Sequence, residues 1–198
     1  RGLVGSEMCI RDRFWERFSY YGMRAMLIFY MYFAIQDHGL GIDKTTAMSI
    51  MSVYGALIYM SSIPGGWIAD RITGTRGATL IGGVLIIIGH ICLSLPFAMF
   101  GLFTSMFFII IGSGLMKPNI SNIVGRLYPQ NDVRMDAGFV IFYMSVNFGA
   151  LVSPIILQHF INVKNFHGGF LIAAIGMALG LIWYILFNRK NLGSVGMK

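Results

Sequence analysis

Charge is scarce in this chain of 198 residues: Asp, Glu, Lys and Arg together make up 12%, and hydrophobic residues make up 56%. A soluble globular domain carries about 25% charged residues, so this composition excludes an ordinary soluble fold. Acidic residues are scarcer than basic ones, with 8 Asp and Glu compared with 15 Lys and Arg. Because the basic residues lie mostly between apolar segments, the excess indicates membrane topology and not a nucleic-acid partner.

Cysteine is almost absent, which excludes further classes. Cys9 and Cys92 are too few for a disulfide framework, and the sequence has no zinc-ligand spacing. It also has no nucleophile–base set and no phosphate-binding loop. The sequence therefore predicts no enzyme, no metal site and no cofactor.

Long apolar stretches dominate what is present. Six of them approach the length of roughly 20 residues that crosses a hydrocarbon core. In lipid such stretches form helices, because an open strand edge finds no hydrogen-bond partner there. The sequence predicts an all-α membrane protein with six transmembrane helices. The predicted spans are residues 14–36, 46–69, 78–98, 102–127, 137–160 and 169–188.

The first thirteen residues, RGLVGSEMCIRDR, are polar and basic, unlike the rest of the chain. Residues 4–12 resemble a translated vector or adaptor sequence, and a natural cytosolic tail is the alternative. We predict a vector-derived segment at 1–13, a six-helix bundle at 14–190, and a cytoplasmic tail or truncated linker at 191–198.

The basic residues outside the spans are distributed unevenly. One side of the membrane would hold Arg71, Arg76, Arg126, Arg134, Arg189, Lys190 and Lys198, and the other side Lys44 and Lys164. The positive side of a membrane protein is cytoplasmic. Both ends of the chain are therefore predicted to lie inside the cell, with the bundle in the cytoplasmic membrane.

The first span carries ionisable residues, which lipid tolerates only when they are paired or hydrated. Polar residues recur at helical spacing along one face of this span, namely Arg17, Tyr20 or Tyr21, and Arg24. Glu16 borders the same face. A guanidinium fork is suited to binding a carboxylate, so this stripe predicts the polar pathway of a transporter or channel. The alternative is an internal salt bridge from Glu16 to Arg17 or Arg24 that only locks helices together.

The fourth span carries Lys117 near its middle, beside Pro118. A buried ammonium needs a carboxylate, and Glu16 is the only acid within any predicted span, so we expect the two to pair. Snorkelling of Lys117 to the interface is the alternative. The cations Arg17, Arg24 and Lys117 outnumber the single acid. The missing negative charge would come from an anionic substrate or from carboxylates outside this chain.

Two other segments are candidates for a site. Residues 65–76 combine glycines that permit a tight turn with Asp70, which could make a contact in one conformation only. An ordinary basic loop is the alternative there. Asn147 falls in the middle of the fifth span, where its amide needs a partner and can serve a ligand or a helix.

Four motifs in this order resemble the proton-dependent oligopeptide transporter family of the major facilitator superfamily. They are ERFSYYG at 16–22, GWIADRITGTR at 66–76, GLMKPN at 114–119 and FYMSVNFG at 142–149. The resemblance covers residues 14 to 190. It implies the N-terminal six-helix half of a transporter that takes up di- and tripeptides with protons.

The resemblance also implies roles for individual residues. Protons would be the coupling ion, and Arg24 would contact the peptide carboxylate. The implied groups are Glu16, Arg17 and Lys117 for the ion-pair cluster of proton coupling, Arg24, Tyr20, Tyr21, Tyr59 and Asn147 for peptide binding, and Asp70, Arg71 and Arg76 for the gating loop.

The chain departs from the family pattern in two respects. The motif's first acid would fall at position 13, where this chain has Arg13, which we attribute to the vector-derived segment. The length is that of one half, so the C-terminal six-helix half and the lipid bilayer are expected as partners, and the half is expected to be inactive alone. Competing hypotheses are an importer of another small anionic solute and a six-span membrane channel or scaffold.

Overall fold

Helices form all the regular structure of this protein in the residues that its computed structural model describes, which are 2–33, 35–126 and 134–192. This confirms the predicted all-α class. A 3-10 turn at Ile35–Asp37 follows the first helix, and a π-helical turn at Ala69–Thr73 joins the third and fourth. The α-helices are α1 (Gly2–Tyr32), α2 (Lys44–Met60), α3 (Ser62–Ile68), α4 (Gly74–Ser94), α5 (Ala98–Arg126), α6 (Arg134–Asn162) and α7 (Phe166–Leu192).

The first helix begins far earlier than the predicted first span. α1 starts at Gly2 and not near residue 14, and it buries Cys9 and Asp12 against the bundle. Residues 9–13 therefore pack as part of the fold, whereas they were left out of it in the prediction. The vector origin of 1–13 stays a prediction, and residues 193–198 lie outside the described part.

Four stretches of the described residues are long and apolar enough to cross a membrane, fewer than the six spans predicted. They are Lys44–Ser94, Ala98–Arg126, Arg134–Asn162 and Phe166–Leu186. The first of them runs through α2, α3 and α4, because the helical path through these three is almost continuous. α1 is not among them because Glu16, Arg17 and Arg24 interrupt its apolar sequence.

The chain reverses direction at Gly74, whose φ of 71° is a value that side chains with a Cβ rarely adopt. α2 and α3 run parallel to α5, whereas α4 runs antiparallel to α5. α1 runs parallel to α6 and antiparallel to α7. The pairs that fix these directions are Ser61–Ile110, Gly65–Gly114, Gly82–Gly112, Gly89–Ile109, Gly149–Phe14, Gly22–Leu157, Gly176–Phe18 and Gly169–Met26.

α1 is the central helix, packed between α6 and α7 along most of its length. Its Met23, Met26 and Leu27 are fully buried in the main apolar core. Gly149 of α6 lies against the α1 backbone beside Arg17. This close packing fixes the polar part of α1 in the interior, where the candidate site lies.

α6 leaves an apolar face uncovered. Only 22% of its most apolar window is buried, compared with 56% for α5. Tyr143, Phe148 and Leu151 are 57–63% exposed on this face. So large an apolar surface must be covered by lipid or by more protein.

Candidate functional site

A buried ion pair lies in the N-terminal half of α1. Arg17 donates two hydrogen bonds to Glu16, from Nε to Oε2 at 2.6 Å and from Nη2 to Oε1 at 2.5 Å. Arg13 Nη1 donates a third, to Oε2 at 3.0 Å. Glu16 is 1% exposed and Arg17 is 4% exposed. A forked contact of this kind stabilises both charges away from water, and it makes Arg17 the fork partner of Glu16.

Lys117 does not form the direct pair with Glu16 that the sequence predicted. Among the described residues, the ion pairs of Glu16 are with Arg13 and Arg17, which occupy both of its carboxylate oxygens. Lys117 Nζ lies instead 3.9 Å from the ring centroid of Tyr59 on α2. Lys117 still interacts electrostatically with this cluster, because Glu16 attracts it while Arg13 and Arg17 repel it.

A cavity of about 580 Å³ opens beside the following turns of α1. Tyr21 and Arg24 face it, so part of the polar stripe predicted for the first span does line an open space. Arg24 Nη1 donates a hydrogen bond to Tyr20 Oη at 3.2 Å. The Arg17 guanidinium lies 5.3 Å from the ring centroid of Tyr20. Tyr20 therefore bridges the buried ion pair and the cationic wall of the cavity.

Most of the cavity lining was missed from the sequence. Met48, Met51 and Ser52 of α2 and Pro154 of α6 complete the wall opposite Arg24. A Cβ on Gly55 would lie 3.5 Å from Arg24 Nη2, an ordinary contact distance, so α2 passes close to the guanidinium at this residue. The spacing of Met48, Ser52 and Gly55 along one helix face could have indicated this wall.

The structure does not bring every predicted peptide-binding residue to this cavity. Asn147 lines a second one of about 560 Å³, beside Phe148 and Leu151 on the exposed face of α6. Tyr59 is 65% exposed and lies at the end of α2, against Lys117. The two cavities lie at different places along α1 and α6, which contribute lining residues to both.

The residues of the predicted gating loop lie in helical structure. Asp70 and Arg71 are exposed on the π-helical turn, whereas Arg76 is 8% exposed in the first turn of α4. The tight turn expected within residues 65–76 is made at Gly74. Within the described ranges, no group of three or more His, Cys, Asp or Glu side chains is arranged to hold a metal ion.

Comparison with known proteins relates this arrangement to one family. The profile described as the POT family matches residues 77–190, more than half of the chain. A di-/tripeptide transporter of Lactococcus lactis subsp. lactis is 50% identical over 99% of this chain and 39% of its own length. The uncharacterized transporter YclF of Bacillus subtilis is 52% identical over 92% of this chain and 37% of its own.

A solved structure gives the same relationship in three dimensions. The crystal structure of a POT family transporter in complex with 5-aminolevulinic acid is 86% identical, with a TM-score of 0.97. It is matched over 98% of this chain and 40% of its own length. The chain thus spans about two fifths of the proteins it matches. It belongs to the POT family.

Proposed function

We propose that this chain is the N-terminal six-helix half of a proton-coupled symporter for di- and tripeptides. The observation that carries the proposal is the arrangement on α1, where Arg24 faces an open cavity two turns from the buried Glu16–Arg17 pair. A cation on the cavity can bind an anionic solute, and a buried carboxylate nearby can take up a proton. The di-/tripeptide transporter of Lactococcus lactis, half of whose aligned residues are identical, supports peptides as the solute.

Six membrane spans are obtained when α2 and α3 count as one rod beside α1, α4, α5, α6 and α7. These six rods alternate in direction, as successive spans must. Arg71, Arg76, Arg126 and Arg134 then lie at one end of the bundle, and Lys44 and Lys164 at the other. The positive-inside rule makes the first end cytoplasmic, with both chain ends on that side.

A second six-helix half is the partner we propose for the uncovered face of α6. Transporters of this kind place the solute site between two bundles that rock against each other. Asn147 and Tyr59, which lie away from the Arg24 cavity, would line the site from its edges once the second bundle closes it. The rest of the apolar surface would contact the lipid bilayer.

The cavity suits the carboxyl end of a short peptide. Arg24 offers a guanidinium fork for the carboxylate, and its hydrogen bond to Tyr20 holds the fork in place. Tyr21 adds a phenol that can donate to or accept from the peptide backbone.

Proton coupling would work through the buried pair. While Glu16 is ionised, it holds Arg17 in a fork; a proton on Glu16 removes the charge and releases Arg17. Because Lys117 lies near the same carboxylate, the loss of charge also weakens the electrostatic attraction that acts on Lys117. We propose that the cytoplasmic end is gated by residues between α3 and α4, namely Asp70, Arg71 and Arg76.

The proposal is tested by uptake into liposomes that contain the full-length transporter. An inward proton gradient should accumulate a labelled dipeptide, and a protonophore should abolish the accumulation. Competition with 5-aminolevulinic acid, which a POT family relative binds, tests whether other amino carboxylates share the site. The anion-importer hypothesis would be favoured if unlabelled dipeptides did not compete with the labelled dipeptide and an anion were transported instead.

Replacing Arg24 by Lys in the full-length transporter should weaken dipeptide binding. A point charge cannot reproduce a forked contact, and loss of a charged hydrogen bond costs roughly 1.5–3 kcal/mol. Calorimetry or tryptophan quenching would measure the dissociation constant. Arg126→Lys is the matched control, because Arg126 is exposed at the end of α5 and away from the cavity. Equal dissociation constants for Arg24→Lys and the unaltered protein would contradict the proposed role.

Residues 1–198 alone should not transport. Alternating access needs two bundles around a central site, and one bundle provides only one wall. The test is dipeptide uptake into liposomes containing this chain by itself, compared with liposomes containing the full-length protein. Accumulation driven by a proton gradient in the first sample would overturn the half-transporter assignment.

A further inference from the structure

Tyr54 of α2 carries a hydroxyl group that the proposed function does not use. The residue is 2% exposed, and among the described residues Tyr54 Oη has no hydrogen-bond partner. A buried hydroxyl without a partner lowers stability, because folding removes its hydrogen bonds to water. A phenylalanine would fill the same space without this cost, so the hydroxyl requires an explanation other than packing.

The position of Tyr54 on α2 brings it close to the polar part of α1. Tyr54 and Tyr20 belong to the same buried core, and Tyr54 interacts electrostatically with both Tyr20 and Arg24. The next residue, Gly55, lies beside Arg24, where a Cβ would be 3.5 Å from Nη2. This turn of α2 therefore faces the place where Arg24 donates its hydrogen bond to Tyr20. None of these residues belongs to the segment 1–13, so the arrangement does not depend on the origin of that segment.

α2 lies between two cavities at this level of the bundle. Met51 and Ser52 line the cavity that Arg24 faces, whereas Tyr54 lines another cavity, of about 430 Å³, between α2 and α5. A helix that borders open space on two sides is held less tightly than one that is packed all round. The packing therefore allows this part of α2 to shift relative to α1.

We infer that Tyr54 is a positioning residue for the peptide site, whose hydroxyl donates a hydrogen bond to Tyr20 when α2 closes on a bound peptide. This inference rests on the proposed function, in which Arg24 binds the peptide carboxylate. A peptide held between Arg24 and the α2 wall draws α2 toward α1, and the shift brings Tyr54 Oη to Tyr20 Oη. The Tyr20 oxygen has two lone pairs, so it accepts from Tyr54 and from Arg24 together. Tyr54 then fixes the ring that supports the Arg24 fork.

Tyr54→Phe in the full-length transporter separates this role from a structural one. Binding of dialanine is measured by calorimetry, and thermal unfolding is measured without peptide. The dissociation constant should rise about fivefold, because the bound state loses one hydrogen bond. The unfolding midpoint without peptide should stay equal or rise, since the hydroxyl has no partner to lose there.

Tyr30→Phe is the matched control for this substitution. Tyr30 is also buried in the main core, at 3% exposure, but its ring faces α7, with its centroid 5.5 Å from that of Phe170. The dissociation constant of dialanine should be the same in Tyr30→Phe as in the unaltered transporter.

A double-mutant cycle tests whether Tyr54 acts through Tyr20. Tyr20→Phe keeps Arg24, so dialanine binding stays measurable in this background. There, Tyr54→Phe should change the dissociation constant by less than about twofold, because the acceptor of its hydrogen bond has been removed. Two hydroxyls that act independently would instead give the same change in both backgrounds.

The outcomes are distinct. Weaker binding in Tyr54→Phe that disappears in the Tyr20→Phe background supports the inference. An unchanged dissociation constant in Tyr54→Phe overturns it, as does an equal loss in both backgrounds. A lower unfolding midpoint with unchanged binding also overturns it, because the hydroxyl would then serve stability alone. Failure of the unaltered transporter to bind dialanine would overturn the proposed function and this inference together, whereas the differences between variants test the inference alone.

Discussion

Lys117→Ala in the full-length transporter is expected to abolish proton-driven accumulation of dipeptides and to leave dipeptide counterflow measurable. Lys117 is the one cation of α5 that acts on Glu16 from across the bundle. In the proposed mechanism, its removal uncouples the protonation of Glu16 from the position of α5, so a proton gradient should no longer drive the cycle. Counterflow should survive because Arg24, the residue proposed to bind the peptide carboxylate, lies on α1 and is unaltered. Paired liposome assays, one driven by a pH gradient and one by unlabelled peptide, measure the two activities.

Lys44→Ala is the matched control for this substitution. Lys44 also lies near an aromatic ring, 5.9 Å from the centroid of Tyr32, but it is exposed at the start of α2 and outside the ion-pair cluster. The Lys44→Ala variant should accumulate dipeptide at the rate of the unaltered protein. Full gradient-driven accumulation in Lys117→Ala would reduce Lys117 to a structural charge and would refute the coupling scheme.

Gly65→Ala should strongly destabilise the bundle, whereas Gly66→Ala should not. A Cβ on Gly65 would collide with the backbone of Gly114 and Leu115 on α5, which cannot move aside as a flexible side chain can. Forced overpacking of this kind costs typically 1–3 kcal/mol and sometimes more. The thermal unfolding midpoint of the detergent-solubilised protein should fall accordingly.

Gly66 is a close control because it is the next residue in the same helix, and a Cβ there meets no atom within 4 Å. Both substitutions gain the higher helix propensity of Ala, about 1 kcal/mol, so the difference between them isolates the crossing of α3 and α5. Equal unfolding midpoints for the two variants would show that the crossing relaxes and would remove the packing argument.

The candidate site could be predicted from sequence only in part. The charges on α1 were visible as ionisable residues in an apolar segment, and their helical spacing correctly suggested that Tyr21 and Arg24 share a face. The pair of Lys117 with Glu16 was predicted wrongly, because charge counting does not show that Arg13 and Arg17 already occupy the carboxylate. Met48 and Ser52 were not predicted as cavity residues, since their place opposite Arg24 depends on how α2 packs against α1.

The sequence by itself determined the helical class, the membrane environment and the position of the charged residues along α1, because apolar length and helical periodicity are local properties. Its four motifs also identified the family. Only the tertiary structure decided that α1 begins at Gly2, that the chain turns at Gly74 and that Lys117 Nζ lies over the ring of Tyr59. These features arise where two helices far apart in sequence meet, as Ser61 meets Gly114, and a single sequence does not encode such distances in any local pattern.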